Sequence, residues 1–114
     1  MLVTIQNARP VGGTITAPPS KSMAHRAVLC AALAEGRSHI TNLEFSKDIS
    51  ATLGAAAQLC ACVRTGADDV VVEGLGHFVP LAAPVDCCES GSTLRFLIPI
   101  ASLTGQAVSF TGRG

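Results

Sequence analysis

Pro18-Pro19 restricts the fold of this chain more than any other feature. Proline fixes φ and has no N–H to pair, so the doublet ends whatever extended segment precedes it. Ser20 follows, and its hydroxyl can accept a hydrogen bond from the unpaired N–H groups that open a helix. Ala24, Ala27, Val28, Ala31 and Ala34 then recur every three or four residues, which predicts a helix over Lys21–Glu35 stopped by Gly36. The positive end of a helix dipole usually attracts acidic residues, whereas here Lys21 and Arg26 add more positive charge. Ser22 and Arg26 share a face, and Lys21 can reach across the helix end. The stretch has the chemistry of an anion grip, although lysine and arginine on a helix are also common as plain solvated surface. It is not a nucleotide P-loop, because Ser20 stands where that loop needs glycine before its lysine.

Composition narrows the partners. With 114 residues, 48% hydrophobic and 14% charged, the chain can bury a real core. Zero net charge and four phenylalanines as the only aromatics argue against nucleic acid, so any anion binding is local. No apolar run reaches the roughly 18 to 20 residues of a membrane span, and the N-terminus does not read as a signal peptide. No membrane partner and a cytoplasmic location are therefore expected. Cys30, Cys60, Cys62, Cys87 and Cys88 lie in apolar sequence without C-x-x-C spacing, which predicts reduced structural thiols. His25, His39 and His77 are scattered, so no metal site is expected.

Along the chain, Leu2 to Ala8 suggests a strand, Pro10-Val11-Gly12-Gly13 a turn, and Thr14-Ile15-Thr16 a second extended piece. After the first helix, Ile40 and Leu43 predict a short strand over Ser38–Leu43, with Asn42 at a turn. Ser46 is a good N-cap and Asp48 suits a helix start; Ile49, Leu53, Ala56, Ala57 and Cys60 then mark one face of a second helix ending near Leu59 to Ala61. Cys62-Val63-Arg64 and Val70-Val71-Val72 flank Thr65-Gly66-Ala67-Asp68-Asp69 and read as a hairpin. A short strand over Val85–Cys88, a third helix from about Ser90 to Leu103 containing Pro99, and a strand over Ala107–Thr111 complete the pattern. The order restarts near its end, as an internal repeat in topology, and predicts a piece of a longer protein whose unpaired edge strands invite self-association.

Glu89-Ser90-Gly91-Ser92-Thr93-Leu94-Arg95 repeats the chemistry of the first grip. Hydroxyls and a glycine open a helix and a cation follows on the next turn. Gly91 lets a ligand approach the backbone, where N–H groups at a helix start point outward. Ser90 and Ser92 would equally serve as simple capping residues.

Together, P-S-K-S-x-x-x-R-A, N-L-x-x-S-x-D-I and S-G-S-T-L-R-F closely resemble the EPSP synthase (3-phosphoshikimate 1-carboxyvinyltransferase) family over essentially the whole chain. The resemblance implies an α/β (α+β) chain of the two-lobed enolpyruvyl transferase fold, an inside-out α/β barrel built from βαβαββ units. Residues 1–19 would be strands of the other lobe and the hinge, 20–83 the first unit, and 84–114 the truncated start of a second. It implies transfer of the enolpyruvyl group of phosphoenolpyruvate to the 5-hydroxyl of shikimate 3-phosphate in the shikimate pathway, without metal or organic cofactor. By the same resemblance Lys21 is catalytic and lies between both substrates, Ser22 and Arg26 contact the shikimate phosphate, Gly91 borders the phosphoenolpyruvate site where glyphosate also sits, and Arg95 is a supporting cation. Pro19, Cys60 and Glu89 depart from common family patterns, and Glu89 would repel a bound phosphate. With the second lobe missing, the chain alone is expected to be inactive. The alternatives are a relative of the enolpyruvyl transferase acting on UDP-N-acetylglucosamine, whose matching loop lacks S-K-S-x-x-x-R, and a non-catalytic anion-binding or assembly module.

Overall fold

The computed structural model describes residues 2–4 and 12–113. Of the strand expected from Leu2 to Ala8, residues 2–4 are exposed and form no strand, while the rest, with Pro10 and Val11 of the turn after it, lies outside the described residues. Thr14-Ile15-Thr16, expected as extended, has no strand partner among the described residues, and Gly12 to Ala17 are exposed.

Ser20 caps α1 (Lys21–Leu33), its Oγ accepting the N–H of Met23. The helix ends two residues earlier than its alanine spacing suggests, because Ala34 turns extended and Glu35 and Gly36 already belong to β1 (Glu35–Ile40). The strand expected over Ser38–Leu43 is thereby shifted toward the N-terminus. Gly36, read as the helix stop, instead takes a left-handed φ of 103° inside the strand. Asn42 turns the chain with φ 58°, as expected of asparagine there. Ser46 then caps α2 (Lys47–Leu59), which leads directly into the hairpin of β2 (Ala61–Thr65) and β3 (Val70–Leu75).

The three strands form one antiparallel sheet in the order β1-β3-β2. On β3, Val70, Val72 and Gly74 point inward while Glu73 and Leu75 point to solvent, the alternation of a sheet covered on one face. The covering layer is α1 and α2, which contribute Val28, Leu29, Ala31 and Ala32, and Ile49, Leu53, Ala55, Ala56 and Leu59, to the core. Ala34 and Ala57, placed on the apolar faces by spacing, are exposed. Gly74 makes the layer possible: a Cβ there would stand 2.8 Å from the carbonyl oxygens of Ala31 and Ala32 and closer still to that of Ala34. Glycine lets the strand pass under the end of α1.

Beyond the sheet, β4 (Val85–Asp86) pairs in parallel with β5 (Phe110–Thr111), so the strand expected over Ala107–Thr111 is only two residues long. Between them α3 (Gly91–Ser102) is capped by Ser90 and continues through Pro99. Pro99 and Arg95 are exposed, so water can serve the Arg95 carbonyl that the missing N–H leaves without its helical donor. Leu97 of α3 joins the same core. All five cysteines are free thiols, and burial pushes those of Cys60 and Cys87 above their ordinary pKa. No helix among the described residues is long and apolar enough to cross a membrane.

Candidate functional site

The two grips of the sequence come together through α2. Lys21, the first residue of α1, forms an ion pair with Asp48 in the first turn of α2. The backbone carbonyl of Asp48 lies 3.3 Å from Thr93 Oγ1, in the first turn of α3. Alongside, Lys47 Nζ lies 3.4 Å from Glu89 Oε1, just before α3. The N-termini of all three helices thus meet at one end of the layer. Each brings unpaired N–H groups and the positive end of a dipole, an arrangement suited to anions.

Serine begins each helix for the same local reason. Ser20, Ser46 and Ser90 are extended in φ and ψ, and their side chains accept the N–H of Met23, Ile49 and Thr93 in turn. That satisfies one orphan donor per helix and leaves others facing solvent. A cavity of about 240 Å³ opens at the first junction, lined by Pro19, Ser20, Lys21, Ala24, Glu44 and Ser46. A second, of about 340 Å³, opens at the start of α3, with Glu89, Ser90, Gly91 and Arg113 on its walls.

Arg26 is folded back on its own helix. Its guanidinium donates to the Ser22 carbonyl at 3.1 Å and lies 5.4 Å over the ring of Phe96 on α3, a cation–π contact. Ser22 and Arg26 therefore do share a face, joined through backbone rather than through the serine hydroxyl. Gly91 is exposed at the head of α3, and a Cβ there would meet nothing within 4 Å. Arg95 is exposed one turn further on, with no ion pair among the described residues. Lys21, Arg26 and the start of α3 are thus gathered around α2, while Arg95 stands at the edge of the group.

Three participants escaped the sequence reading. Asp48 looked like a residue suited to a helix start, and only the packing reveals it as the partner of Lys21. Lys47 offsets the charge of Glu89, the carboxylate that would otherwise repel an anion. His25 is buried between the grips, with Nδ1 2.7 Å from Thr52 Oγ1 and its ring 6.2 Å from that of Phe96. Burial lowers its pKa, the charges of Lys21 and Arg26 add to that effect, and Asp48 opposes it. The signal for His25 was its place one turn after Lys21 on an otherwise apolar face.

Comparison with known proteins identifies the family. A family model described as EPSP synthase (3-phosphoshikimate 1-carboxyvinyltransferase) matches residues 5–114. A protein of that enzyme name from Clostridium kluyveri is 43% identical over 108 residues, covering 95% of this chain and 25% of the relative. A namesake from Clostridium beijerinckii is 46% identical over 111 residues, covering 91% of this chain and 26% of its own. The solved EPSP synthase of Acinetobacter baumannii matches with a TM-score of 0.82 at 28% identity, over 90% of this chain and 24% of that one. The chain therefore spans about a quarter of the length of its curated relatives. The matched family model, these identities and the shared arrangement of helices and strands show that the chain belongs to the EPSP synthase family.

Proposed function

We propose that this chain forms part of a site that transfers the enolpyruvyl group of phosphoenolpyruvate to the 5-hydroxyl of shikimate 3-phosphate, giving EPSP and phosphate. The observation that carries the proposal is the meeting of three helix starts around Lys21, in a chain of this family. Both substrates are multiply charged, and fixed helix ends and cations can hold them side by side without reorganising during the reaction. In the reaction a proton adds to the methylene carbon of phosphoenolpyruvate, and the 5-hydroxyl oxygen gives up its own proton as it bonds to the adjacent carbon. Loss of a proton and of phosphate from the tetrahedral adduct restores the double bond.

In this reading Lys21 lies between the substrates and assists proton transfer, with Asp48 orienting its ammonium. Ser22 and Arg26 hold the shikimate phosphate, Gly91 admits phosphoenolpyruvate to the backbone of α3, and Arg95 supports the charge from the edge. Residues 1–19 would pack on another lobe, a role supported by the 90% exposure of Ile15. Residues 20–83 and 84–114 would be the first unit and the start of the next. The cytoplasm is the proposed setting, where the free thiols stay reduced.

The test is a chimera in which residues 1–114 replace the matching quarter of the Clostridium kluyveri relative, assayed for phosphate release from both substrates. Turnover is expected in the chimera and none in the 114-residue chain alone. Lys21→Ala should lower turnover by about 100-fold or more, the scale of a lost acid–base group. Arg26→Ala should mainly raise KM for shikimate 3-phosphate. Undiminished turnover in Lys21→Ala would sink the assignment.

A further inference from the structure

Four polar residues are buried among those described, and all four stand in one row: His25, Thr52, Thr93 and Ser90. His25 Nδ1 lies 2.7 Å from Thr52 Oγ1, which lies 2.7 Å from Thr93 Oγ1, which in turn donates to Ser90 Oγ at 2.7 Å. The row joins the interior of α1 to the head of α3 by way of α2.

Each hydroxyl has a single hydrogen, so the row must run in one direction. Thr93 Oγ1 has two acceptors in reach, Ser90 Oγ at 2.7 Å and the Asp48 carbonyl at 3.3 Å, and its one hydrogen goes to the nearer; Thr52 therefore donates to Thr93 and has only an acceptor left for His25. His25 must therefore carry its proton on Nδ1. The opposite direction would place the proton on Nε2, which is buried without a hydrogen-bond partner among the described residues. A buried N–H without an acceptor is the rarer and costlier defect, so that direction is disfavoured.

At the far end, Ser90 Oγ accepts from both the N–H and the hydroxyl of Thr93, at 3.1 Å and 2.7 Å. Its two lone pairs are occupied and its own hydrogen is still to be donated. Ser90 lines the cavity at the start of α3, beside Gly91.

We propose that His25 is a positioning residue: its Nδ1–H sets the direction of the row, so that the Ser90 hydroxyl is left to donate to an anion bound at the head of α3. The proposal rests on reading that cavity as anion-binding, and it adds Ser90 as a binding donor there. Phosphate is the simplest probe of the required chemistry, a tetrahedral oxyanion able to accept from a hydroxyl and from backbone N–H groups together.

The experiment is NMR on the full 114-residue chain labelled with nitrogen-15. Imidazole correlations should show His25 as the Nδ1–H tautomer, and titration with inorganic phosphate should move the amides of Gly91 and Ser92. His25→Leu should weaken phosphate binding about five- to tenfold, near the effect of losing one hydrogen bond to a charged group. His25→Asn should stay within about twofold, because its carboxamide nitrogen is bonded to the same carbon as Nδ1 and can donate to Thr52. Should His25→Leu fail to fold, the near-isosteric Thr52→Val cuts the same row and should weaken binding likewise. An Nε2–H tautomer, phosphate affinity unchanged in a folded variant, or no phosphate-dependent shift at Gly91 and Ser92 in the parent would each overturn the proposal. A chimera that binds phosphate in this way yet releases none from the two substrates would defeat the enolpyruvyl reading and leave this one standing.

Discussion

Gly74 and His25 carry more of this structure than their neighbours in sequence suggest. Gly74 sits where β3 crosses under the end of α1, against three backbone carbonyls that cannot move independently of the helix. Gly74→Ala should therefore destabilise by at least about 2 kcal/mol, as overpacking against backbone does, and urea denaturation will measure it. For His25 the sign follows from its pKa, which burial holds below the ordinary value of 6.5. The unfolded chain takes up the proton first as pH falls, so the stabilising contribution is complete above about pH 6.5 and is lost toward the depressed folded pKa. The urea midpoint should fall over that acidic window. His25→Asn should fall less there than the parent, and identical pH profiles would contradict the assignment.

The helix starts were legible because a serine, an extended residue and a following apolar face are all local. Ser20, Ser46 and Ser90 each cap the helix that was read from them, and the hairpin turn between β2 and β3 falls at Gly66 to Asp69, closed by a 2.9 Å hydrogen bond. Strand limits were less legible. Glu35 and Gly36 look like the end of a helix, but β3 offers them partners in Leu75 and Gly74, and the ladder extends to meet those partners. β5, expected over Ala107–Thr111, was overestimated for the converse reason: β4 is two residues long and offers no more pairing. At this scale α2 holds the site together. Ser46→Ala should cost about 1 kcal/mol by removing the acceptor of the Ile49 N–H. Fraying of that turn would also release Asp48 from Lys21. Thermal denaturation would show the first effect, and the amide shifts of the first α1 turn the second.

In the whole molecule, the sheet has β1 and β2 as its edges, each with one side unpaired by the described strands. Open edges favour pairing with another chain. The 114-residue chain should therefore self-associate, with a sedimentation coefficient that rises with concentration. A constant monomer value would show that the charged residues Glu35, Arg37 and Arg64 on these strands are enough to block edge pairing.

The positions of the helix starts, the hairpin, the two groups of hydroxyls and cations, and the family they resemble were all determined by residues close together in the chain. Tertiary structure decided which side chains serve one another. Thr52 bonds to His25 across 27 positions and to Thr93 across 41. Lys21 finds Asp48 because α1 and α2 pack side by side on the same face of the sheet. Capping and periodicity act over one or two turns of backbone, so they can be read locally. The partner of a buried polar group is chosen by packing, which brings every helix to the table at once.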